Sequence, residues 1–600
     1  MFSVPSVFST FLRGSAWVLP MSPHKLNAAH AGETLLAVLA ERGIEYLFGN
    51  AGTDFPSIIE AFAKASIDGR RVPQPVTVPH ENVAVAMAHG FYLATGRPQA
   101  VMVHVNVGTA NAICGLVNAT RENIPLLLMA GRTPITEEGR AAGRSVYIHW
   151  GQEMFDQAGM LRELVKWDYE LRDPSQVEAA VDRALNLAMT EPRGPVYMTL
   201  PREVLAAGGG ATELHPPSWR AAPAAPAPDP AAIRQAAEWL AEAENPLLIT
   251  ASFGRCPADV PALAALAEAA ALPAIGYRPR YLFLPSAHPV HLGYEPGPHL
   301  GDADLIFVLD CDVPWIPRQH KVNPAARVVH IGADPLFQRY PMRSFRTDLA
   351  IAGSSRATLE ALAAEFAGRK DTMRVERRRA AVAKKRAAMD ARTEALRAAC
   401  LKAPAPSAAA ILSAFEQVRR PSDMIVTELG LPLGLMNMTE PGTYFGNSPA
   451  GGLGWGLGAA LGLKLGAPER RVVAFMGDGT YMFANPTPAH FVSAALGLPT
   501  LTVIVNNRMW AAVRRATLNV YPDGAAAKVN RAALTYLEPA PAYEMIVQAS
   551  GGYGEKVERF EELPAAFKRA LHAVEVEKRQ AVLNVLTEYS DADAVADAKR

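Results

Sequence analysis

The chain has 600 residues, of which 50% are hydrophobic and 20% charged, and its 59 basic side chains balance its 59 acidic ones. At roughly 150 residues per domain, this length predicts about four domains or three large ones. The composition is that of a folded globular protein rather than a disordered one. The balanced charge provides no overall field that would gather nucleic acid or an anionic membrane, so neither is expected as a partner.

No segment of the chain indicates a compartment other than the cytoplasm. The N-terminus lacks the basic start and unbroken apolar centre of a signal peptide, so residues 1–26 are predicted to be a disordered or misassigned extension, with Met21 as an alternative start. Longer apolar runs are interrupted by charges or prolines, and none is predicted to span a membrane. The four cysteines form no CxxC pair, which favours a reducing, cytoplasmic location without disulfides or a thiolate zinc site.

Strand-like apolar runs alternate with alanine-rich helical stretches in the first third of the chain. The runs EYLFG, VTVPH and QAVMVHV are separated by predicted helices near 56–65 and 82–95. This alternation predicts a parallel sheet in a first domain at residues 27–205. Residues 206–230 are rich in Gly, Pro and Ala and are predicted to form an extended surface linker.

Two more α/β blocks follow the linker. One occupies residues 231–368, with predicted strands PLLIT, DLIFVLD and RVVHIG, and the other occupies residues 405–590 before a frayed tail, DADAVADAKR. Between them, residues 369–404 predict a charged helix. Its RRR and KKR runs indicate a solvated connection rather than a nucleic-acid contact, because the whole chain is neutral. The predicted fold class is therefore α/β, with three Rossmann-like parallel-sheet domains.

The most informative segment, RRVVAFMGDGTYMFANPTPAHFVSAALGLPTLTVIVNNRMW, predicts a strand, a turn, one helix and a second strand. Its GDG turn, Gly477–Gly479, follows a buried strand, and the next strand delivers Asn506 and Asn507 to the same sheet edge. The Asp478 carboxylate, an amide oxygen, a backbone carbonyl and phosphate oxygens together form the oxygen shell that Mg²⁺ prefers. The pattern favours a magnesium-bound diphosphate, with ordinary turns as the alternative, since GDG and NN are common turn sequences.

GDG followed after a helix by NN resembles the thiamine diphosphate signature of the decarboxylase and acetolactate synthase superfamily. Further blocks resemble the same superfamily from about residue 28 to about residue 587, and most closely its benzoylformate decarboxylases. The resemblance implies pyrimidine-binding, central and diphosphate-binding domains, with thiamine diphosphate and Mg²⁺ as cofactors. It also implies metal ligation by Asp478, Asn507 and the main-chain oxygen of Met509. The cofactor-binding positions that it implies are Gly430, Gly451, Leu453, Gly477, Asp478, Gly479, Thr480, Asn507 and Met509.

The segment AGGLGWGLGA, residues 450–459, resembles the part of these enzymes that lies below the cofactor. By that resemblance Leu453 is an apolar wedge, and Gly451 offers its carbonyl to the pyrimidine amine. A bulky side chain under the bridge between two rings would force a bent cofactor, which brings the amine against the thiazolium carbon. On local grounds the segment also fits the glycine-rich start of a packed helix.

Glu81 stands at the start of an alanine-rich helical stretch, ENVAVAMAHGFYLATGRP. An acidic residue in a first helical turn is usually a partner of the helix dipole. In the family, the glutamate of this block binds a pyrimidine nitrogen, and Glu81 is the matching position. A carboxylate there would favour the tautomer in which the cofactor's own amine takes the proton from the thiazolium carbon. General acid–base catalysis typically contributes about 10²- to 10⁴-fold.

The resemblance implies three substrate-side residues. Thr53, in FGNAGTDFP, stands where benzoylformate decarboxylases carry a serine, and its extra methyl group crowds the pocket. His104 ends an apolar strand at the position of their catalytic histidine, and His288, in PSAHPVHLG, matches a second histidine. The alternatives are a helix-capping hydroxyl for Thr53, a core histidine for His104 and an ordinary His-Pro loop for His288.

The resemblance implies a non-oxidative decarboxylase of a small 2-oxo acid, with carboligation as a further outcome. The alternatives are a 2-hydroxyacyl-CoA lyase and a non-catalytic cofactor-binding paralogue. The NN pair is followed by Arg508, Arg514 and Arg515. These arginines suit either the binding of an anionic substrate or the solvated surface of a helix. A homodimer or homotetramer with active sites shared between chains is also implied. The central domain has no GxGxxG motif, so neither FAD nor ADP is predicted there.

Overall fold

The protein folds into three successive α/β domains, each built on one parallel sheet. The computed structural model describes residues 22–208, 210–400, 406–529 and 532–588. The three sheets have six, five and six strands, which confirms the predicted fold class. Residues 1–21 of the predicted extension and the tail DADAVADAKR lie outside the described residues.

The first domain alternates strands and helices as its apolar runs predict. Its strands are β1 (His24–Ala28), β2 (Tyr46–Gly49), β3 (Gln74–Thr77), β4 (Ala100–Val103), β5 (Leu127–Arg132), β6 (Asp168–Glu170), β7 (Val196–Pro201) and β8 (Gly210–Leu214). Its helices are α1 (Ala31–Glu41), α2 (Pro56–Asp68), α3 (Glu81–Thr95), α4 (Val105–Arg121), α5 (Ile148–Gly151), α6 (Val177–Met189) and α7 (Arg202–Ala206). The parallel sheet has the order β3-β2-β4-β5-β7-β6.

The segment predicted to be an extended linker, residues 206–230, is partly folded onto the first domain. Within it, β8 pairs with β1 in a separate antiparallel ladder, from Gly210 opposite Ala28 to Leu214 opposite His24. This part of the segment is extended, but it forms a regular ladder with the first domain instead of a free linker. The sequence around β8 is rich in glycine and lacks the alternation of apolar and polar residues that is typical of strands. The ladder also depends on β1, which comes from the other end of the domain.

The central domain has a five-stranded parallel sheet of order β10-β9-β11-β12-β13. Its strands are β9 (Pro246–Thr250), β10 (Ala274–Gly276), β11 (Leu305–Leu309), β12 (Arg327–Gly332) and β13 (Leu349–Ala352). Its helices are α8 (Pro230–Glu242), α9 (Val260–Ala270), α10 (Gly297–Leu300) and α11 (Ser355–Ala367).

The predicted charged helix is present as α12 (Thr372–Cys400), but one of its faces is buried. Val375 and Val382 join the apolar core of the central domain, and Arg378 donates hydrogen bonds to carbonyl oxygens at the end of α8. The prediction of a solvated helix is wrong for this face, because helical spacing places the three residues on one side. Although α12 has 29 residues, no helix of the described chain combines the length and apolarity needed to cross a membrane.

The third domain has a six-stranded parallel sheet of order β15-β14-β16-β17-β19-β18. Its strands are β14 (Met424–Thr427), β15 (Tyr444–Phe445), β16 (Val472–Gly477), β17 (Leu501–Asn506), β18 (Tyr553–Val557) and β19 (Ala581–Leu586). Its helices are α13 (Ala408–Glu416), α14 (Trp455–Gly466), α15 (Asp478–Phe483), α16 (Pro486–Leu496), α17 (Ala511–Val520), α18 (Ala525–Val529), α19 (Tyr543–Gln548) and α20 (Leu563–Glu575).

The connection from β16 to β17 contains two helices, α15 and α16, where the sequence predicts one. The break falls at Asn485, which has a left-handed φ of 50° and precedes Pro486, the first residue of α16. A proline disfavours helical geometry in the residue before it and fits the first position of a new helix. The Asn-Pro pair therefore explains the break.

Helices α3 and α14 pack directly against each other and join the first domain to the third. Glycines allow this close approach, since a methyl group at Gly90 would overlap the backbone of Ala459 and one at Gly462 would overlap that of Met87. Apolar side chains of both helices belong to one continuous buried cluster. The two domains thus share part of their core.

The contacts between α3 and α14 advance in step along both helices. Gly458 lies against Val83, and Gly466 lies against Thr95. The two helices therefore run in the same direction and begin at the same end of the contact. This arrangement brings Glu81, the first residue of α3, to the end of the contact at which α14 begins.

The substitution Gly462→Ala tests the close contact between the two helices. The added methyl group would overlap the backbone of Met87, so we expect the free energy of unfolding to fall by about 1–3 kcal/mol. The control is Gly301→Ala, where a methyl group would meet no atom within 4 Å. Denaturant midpoints provide the measurement, and an unchanged midpoint for Gly462→Ala would contradict the contact.

Candidate active site

The cofactor-binding positions predicted in the third domain gather mainly at the carboxyl edge of its sheet. Strands β14, β16 and β17 are neighbours, with Thr427 beside Phe475 and Gly477 beside Val505. The predicted positions at or after these strand ends are Gly430, Gly477, Asp478, Gly479, Thr480, Asn507 and Met509. Open parallel sheets bind ligands at this edge. The binding roles of these residues stay predictions.

Asp478 is the first residue of α15 and is only 2% exposed. The backbone N–H groups of Arg508 and Met509 face its carboxylate, and Oδ2 has no hydrogen-bond partner among the described residues. Burial raises the pKa of this carboxyl to about 6. A buried carboxylate is costly unless a cation or donors reach it. Asp478 therefore has the properties expected of a metal ligand.

Asn506 and Asn507, at the end of β17, have different surroundings. The buried Asn506 side chain donates to Asn584 at 3.0 Å and accepts from the Arg508 N–H at 3.1 Å. Asn507 is half-buried, and its Oδ1 accepts the Met509 N–H at 3.1 Å. Asn506 therefore fixes the loop, whereas Asn507 lies at the sheet edge with Asp478.

The predicted metal ligands offer only oxygen atoms, which suits Mg²⁺. The Asn507 amide oxygen and the Met509 carbonyl oxygen each accept one hydrogen bond, the latter from Ala511. Such an oxygen has two lone pairs, so each retains an acceptor site. No group of three or more His, Cys, Asp or Glu residues in the described ranges could hold a metal ion. Magnesium at this edge would therefore depend on one carboxylate with amide and carbonyl oxygens.

Trp510 covers the GDG turn, a feature that the sequence analysis missed. Its ring occupies the space where a methyl group on Gly479 would lie, and it packs edge-to-face on Phe483 with 5.8 Å between ring centroids. Gly479 thus permits the ring to approach the backbone. No local pattern separates this aromatic residue from an ordinary core residue.

The segment Gly451–Gly454, which contains the predicted wedge, lies where the first and third domains meet. Its end glycines have left-handed φ values of 65° and 92°. Asn118 of α4 accepts from the Gly452 N–H at 3.1 Å and donates to the Gly452 carbonyl at 2.6 Å. The Leu453 carbonyl accepts from the Cys114 thiol at 3.8 Å. The segment is therefore anchored to α4, and the wedge role of Leu453 stays a prediction.

Glu428, directly after β14, holds the start of α14. Its carboxylate accepts the N–H groups of Gly454, Trp455 and Gly456 at 2.8, 3.1 and 2.7 Å. Burial raises its pKa to about 8, although these donors favour the charged form. The sequence analysis missed this residue, and the one available signal was an acidic residue directly after a buried strand.

Glu81 is the first residue of α3 and is 5% exposed. Its carboxylate oxygens accept from Nδ2 of Asn50 at 2.9 Å and Nδ2 of Asn111 at 3.1 Å. No cation forms an ion pair with it in the part of the chain that the structure describes. Two neutral donors therefore orient the carboxylate and leave it further acceptor capacity. This arrangement suits a group that binds or exchanges a proton with a ligand.

His104 follows β4 and forms a hydrogen-bonded set with two residues that the sequence analysis missed. Its Nδ1 lies 2.6 Å from Asp54 Oδ1, and its Nε2 lies 3.1 Å from the amide nitrogen of Gln152. The hydrogen bond to Asp54 raises the pKa of His104. His104 is half-buried, and both of its ring nitrogens have a polar partner. These contacts favour a functional role over that of a histidine that only fills the core.

Thr53, which is exposed, lies beside a second histidine that the sequence analysis also missed. Thr53 Oγ1 is 3.5 Å from His149 Nε2, in helix α5. The separation along the chain is 96 residues, so no local motif could reveal the pair. The structure therefore places a histidine from the first domain, rather than His288, next to Thr53.

His288 lies in the central domain, in the connection between β10 and α10. One ring nitrogen is 3.1 Å from Glu268, and its carbonyl accepts from the Arg386 guanidinium at 2.9 Å. Within the described residues, no hydrogen bond or ion pair links it to the first domain. Its catalytic role stays a prediction.

The three arginines after NN lie beside the edge that carries Asp478. The Nε atoms of Arg508 and Arg515 are buried and have no hydrogen-bond partner among the described residues. Arg514 is itself buried. These arginines therefore follow the loop that carries the predicted ligands Asn507 and Met509.

Helix α4 links the first-domain acid to the glycine-rich segment within one chain. Asn111 donates to Glu81, and Cys114 and Asn118, one and two turns later, contact the segment Gly451–Gly454. Helix α4 thus holds both Glu81 and the glycine-rich segment in place.

The substitution Asp478→Asn tests the metal site. It removes a buried carboxylate whose raised pKa marks a cost to folding at neutral pH, so the thermal midpoint without cofactor should be unchanged or higher. Magnesium-dependent affinity for thiamine diphosphate should fall by roughly 100-fold or more, since even groups that only orient metal ligands contribute 10- to 100-fold. The exposed Asp523→Asn is the control, and unchanged affinity in Asp478→Asn, measured by calorimetry, would defeat the assignment.

Three stretches of the chain match one protein family. Residues 29–160 match the description "Thiamine pyrophosphate enzyme, N-terminal TPP binding domain". Residues 233–362 match its central domain, and residues 432–585 match its C-terminal TPP binding domain. The three matches fall on the three parallel sheets, in the same order.

The chain is similar to known proteins over most of its length. It is 29% identical over 496 residues to benzoylformate decarboxylase of Pseudomonas aeruginosa, over 80% of this chain and 86% of the relative. It is 25% identical over 570 residues to acetolactate synthase isozyme 3 large subunit of Escherichia coli, over 90% and 92%. Benzoylformate decarboxylase from Polynucleobacter necessarius has a similar solved structure, with TM-score 0.74, 20% identity and coverage of 94% and 99%, which supports the fold alone.

Proposed function

Because this chain belongs to the thiamine pyrophosphate enzyme family, we propose that it is a thiamine diphosphate- and magnesium-dependent decarboxylase of a small 2-oxo acid. The relatives named benzoylformate decarboxylase and acetolactate synthase support a decarboxylase or a carboligase. The observation that carries the proposal is the buried Glu81 carboxylate, which two amides orient at the carboxyl edge of the first sheet.

The third domain would hold the diphosphate end of the cofactor. Asp478, Asn507 and the carbonyl of Met509 would ligate magnesium, and the unpartnered Asp478 Oδ2 supports this assignment. Gly451 and Leu453 would contact the pyrimidine side. Thiamine diphosphate, when bound, supplies the electron sink for loss of carbon dioxide, and the protein supplies binding and orientation.

Glu81 would control the proton on the pyrimidine nitrogen that it faces. Asn50 and Asn111 leave acceptor capacity on its two oxygens, so the carboxylate can accept a proton from that nitrogen or return one. His104 and Thr53 stand at the same sheet edge and would contact the substrate. Entry of an aldehyde or a second oxo acid would turn the decarboxylation into carboligation.

A 2-hydroxyacyl-CoA lyase is the second candidate, and one observation favours it. The guanidinium groups of Arg508 and Arg515 each have a buried Nε without a hydrogen-bond partner among the described residues, which suits a substrate with phosphate groups. Carbon dioxide release from pyruvate, branched and aromatic oxo acids, with and without aldehyde, favours the decarboxylase. Release of an aldehyde or ketone from a 2-hydroxyacyl-CoA, without turnover of free oxo acids, favours the lyase.

A non-catalytic paralogue is disfavoured by the residues that the chain retains. Glu81, Asp478 and Asn507 all stand at the positions predicted to bind the cofactor and its metal. Failure of the purified protein to bind thiamine diphosphate with Mg²⁺ in a calorimetric titration would support the non-catalytic alternative.

The active protein is proposed to be a homodimer or homotetramer with sites shared between chains. Large apolar side chains are exposed, including Tyr147, Phe155 and Leu534, and contact with another chain would bury side chains of this kind. A monomer that remains active at high dilution would contradict this proposal.

The substitution Glu81→Gln tests the proposed function directly. It keeps the shape of the side chain but removes its charge, so decarboxylation and exchange of the cofactor C2 proton should both fall by about 10²- to 10⁴-fold. Exchange is followed by NMR in deuterated buffer after an acid quench.

The matched control is Glu33→Gln, because Glu33 is also a buried glutamate in a first helical turn of the same domain. It should exchange at the wild-type rate. A wild-type exchange rate in a folded, cofactor-loaded Glu81→Gln protein would defeat the proposed role.

A further inference from the structure

A short segment of the first domain, residues 144–152, contributes two inward-facing side chains beside His104. The segment contains α5, and the two side chains are His149 and Gln152. His149 is 2% exposed, and the Gln152 Oε1 atom is buried without a hydrogen-bond partner among the described residues. The segment therefore adds polar groups to the substrate side of the site.

Asp54 and His104 form a closely built pair. His104 Nδ1–H donates to Asp54 Oδ1 at 2.6 Å, and the Val105 N–H donates to Oδ2 at 3.2 Å. A methyl group at Gly52 would overlap the imidazole, and one at Gly131 would overlap the carboxylate. Val105 has φ 32°, a strained value for a β-branched residue. Two glycines and a strained residue thus accommodate this hydrogen bond, and such strain often accompanies function.

The positions of the protons on His104 follow from its neighbours. A carboxylate only accepts, so Asp54 fixes a proton on Nδ1 and leaves Nε2 facing Gln152, whose amide nitrogen is 3.1 Å away. An amide can present its NH₂ group to a neutral imidazole or, after rotation, its oxygen to an imidazolium. Gln152 can therefore form a hydrogen bond with Nε2 both when this atom is unprotonated and when it carries a proton.

The contacts of His149 favour the other neutral tautomer, with the proton on Nε2 instead of Nδ1. The Ser145 N–H donates to its Nδ1 at 3.2 Å, so a neutral His149 carries its proton on Nε2, which faces Thr53 Oγ1. Burial lowers the pKa of His149, and two nearby arginines lower it further. His149 therefore stays neutral and donates to Thr53.

The charged groups around His104 favour its cation. The hydrogen bond to Asp54 raises the pKa of His104, burial opposes this, and the Glu81 carboxylate of α3 raises it further. The third titratable neighbour, His149 of α5, is neutral. Environments that push the pKa values of neighbouring titratable groups apart are typical of acid–base sites.

We propose that Asp54 and Gln152 are positioning residues that make His104 the proton donor on the substrate side, and that His149 positions Thr53. The proposal rests on the proposed function, because it assigns His104 to decarboxylation. When the bond between the carbonyl carbon and the carboxylate breaks, carbon dioxide leaves, and the electron sink that thiamine diphosphate would supply delocalises the electron pair until the former carbonyl carbon takes a proton. The proton on His104 Nε2 forms the new C–H bond of the aldehyde. Neutral His104 then regains a proton from water.

Two substitutions with opposite expected effects test the proposal. Asp54→Asn removes the carboxylate at Nδ1, and Gln152→Glu adds one at Nε2. A charge at this distance shifts a pKa by roughly 1 unit or more, downward for His104 in Asp54→Asn and upward in Gln152→Glu. Since protonated His104 is required, kcat is lost as pH rises through its pKa. The alkaline limb of the kcat profile should therefore move to lower pH in Asp54→Asn and to higher pH in Gln152→Glu.

The titration of His104 is measured by NMR on histidine-labelled, cofactor-loaded protein, with the signal assigned by His104→Asn. Asp156→Asn is the control, because Asp156 is an exposed aspartate that pairs with Arg162, and it should leave both readouts unchanged. If Asp54→Asn does not fold, Gln152→Glu alone decides the result. The inference is overturned if the variants release carbon dioxide but show no shift in the titration of His104 or in the alkaline limb of the kcat profile. Shifted titration without turnover of any oxo acid would instead refute the proposed function.

Discussion

Burial of carboxylates without counter-ions is the physical constraint on which the candidate site depends. A carboxylate removed from water loses much hydration free energy unless donors or a cation replace the water. Glu81 and Asp478 are both buried at carboxyl edges of parallel sheets, and neither forms an ion pair with another described residue. Glu81 has two amide donors, whereas Asp478 Oδ2 has none. A magnesium-bound diphosphate would provide the missing partner of Asp478, and a pyrimidine nitrogen would provide a further partner of Glu81.

The packing of α3 against α14 places Glu81, at the start of α3, near the start of α14. Both helices begin at the same end of their contact, and glycines such as Gly462 allow their backbones to approach. Glu428 holds the start of α14, and Asn118 fastens the segment before it to α4. The predicted wedge, Leu453, is thus located by contacts from two domains. Small changes in this core would displace Glu81 and Leu453, the residues predicted to contact the pyrimidine.

The sequence predicts those parts of the site that follow directly from strand ends. Parallel strands bring their carboxyl ends to one edge, so Asp478 and the loop after Asn507 lie together as expected. Side-chain partners from distant loops carry no such signal. Gln152 is 48 residues from His104, and nothing local indicates that they meet. Arg378 was likewise unpredictable, because its charge suggests solvent while its carbonyl partners belong to another helix.

The proposal that Glu81 of one chain and Asp478 of another act on a single cofactor is tested most directly by co-expressing Glu81→Gln and Asp478→Asn chains, each inactive alone. In a mixed dimer with shared sites, one site receives both intact residues. With random pairing, activity should return to about a quarter of the wild-type value. No recovery of activity, although the mixed dimers form and both variants fold, would contradict the claim.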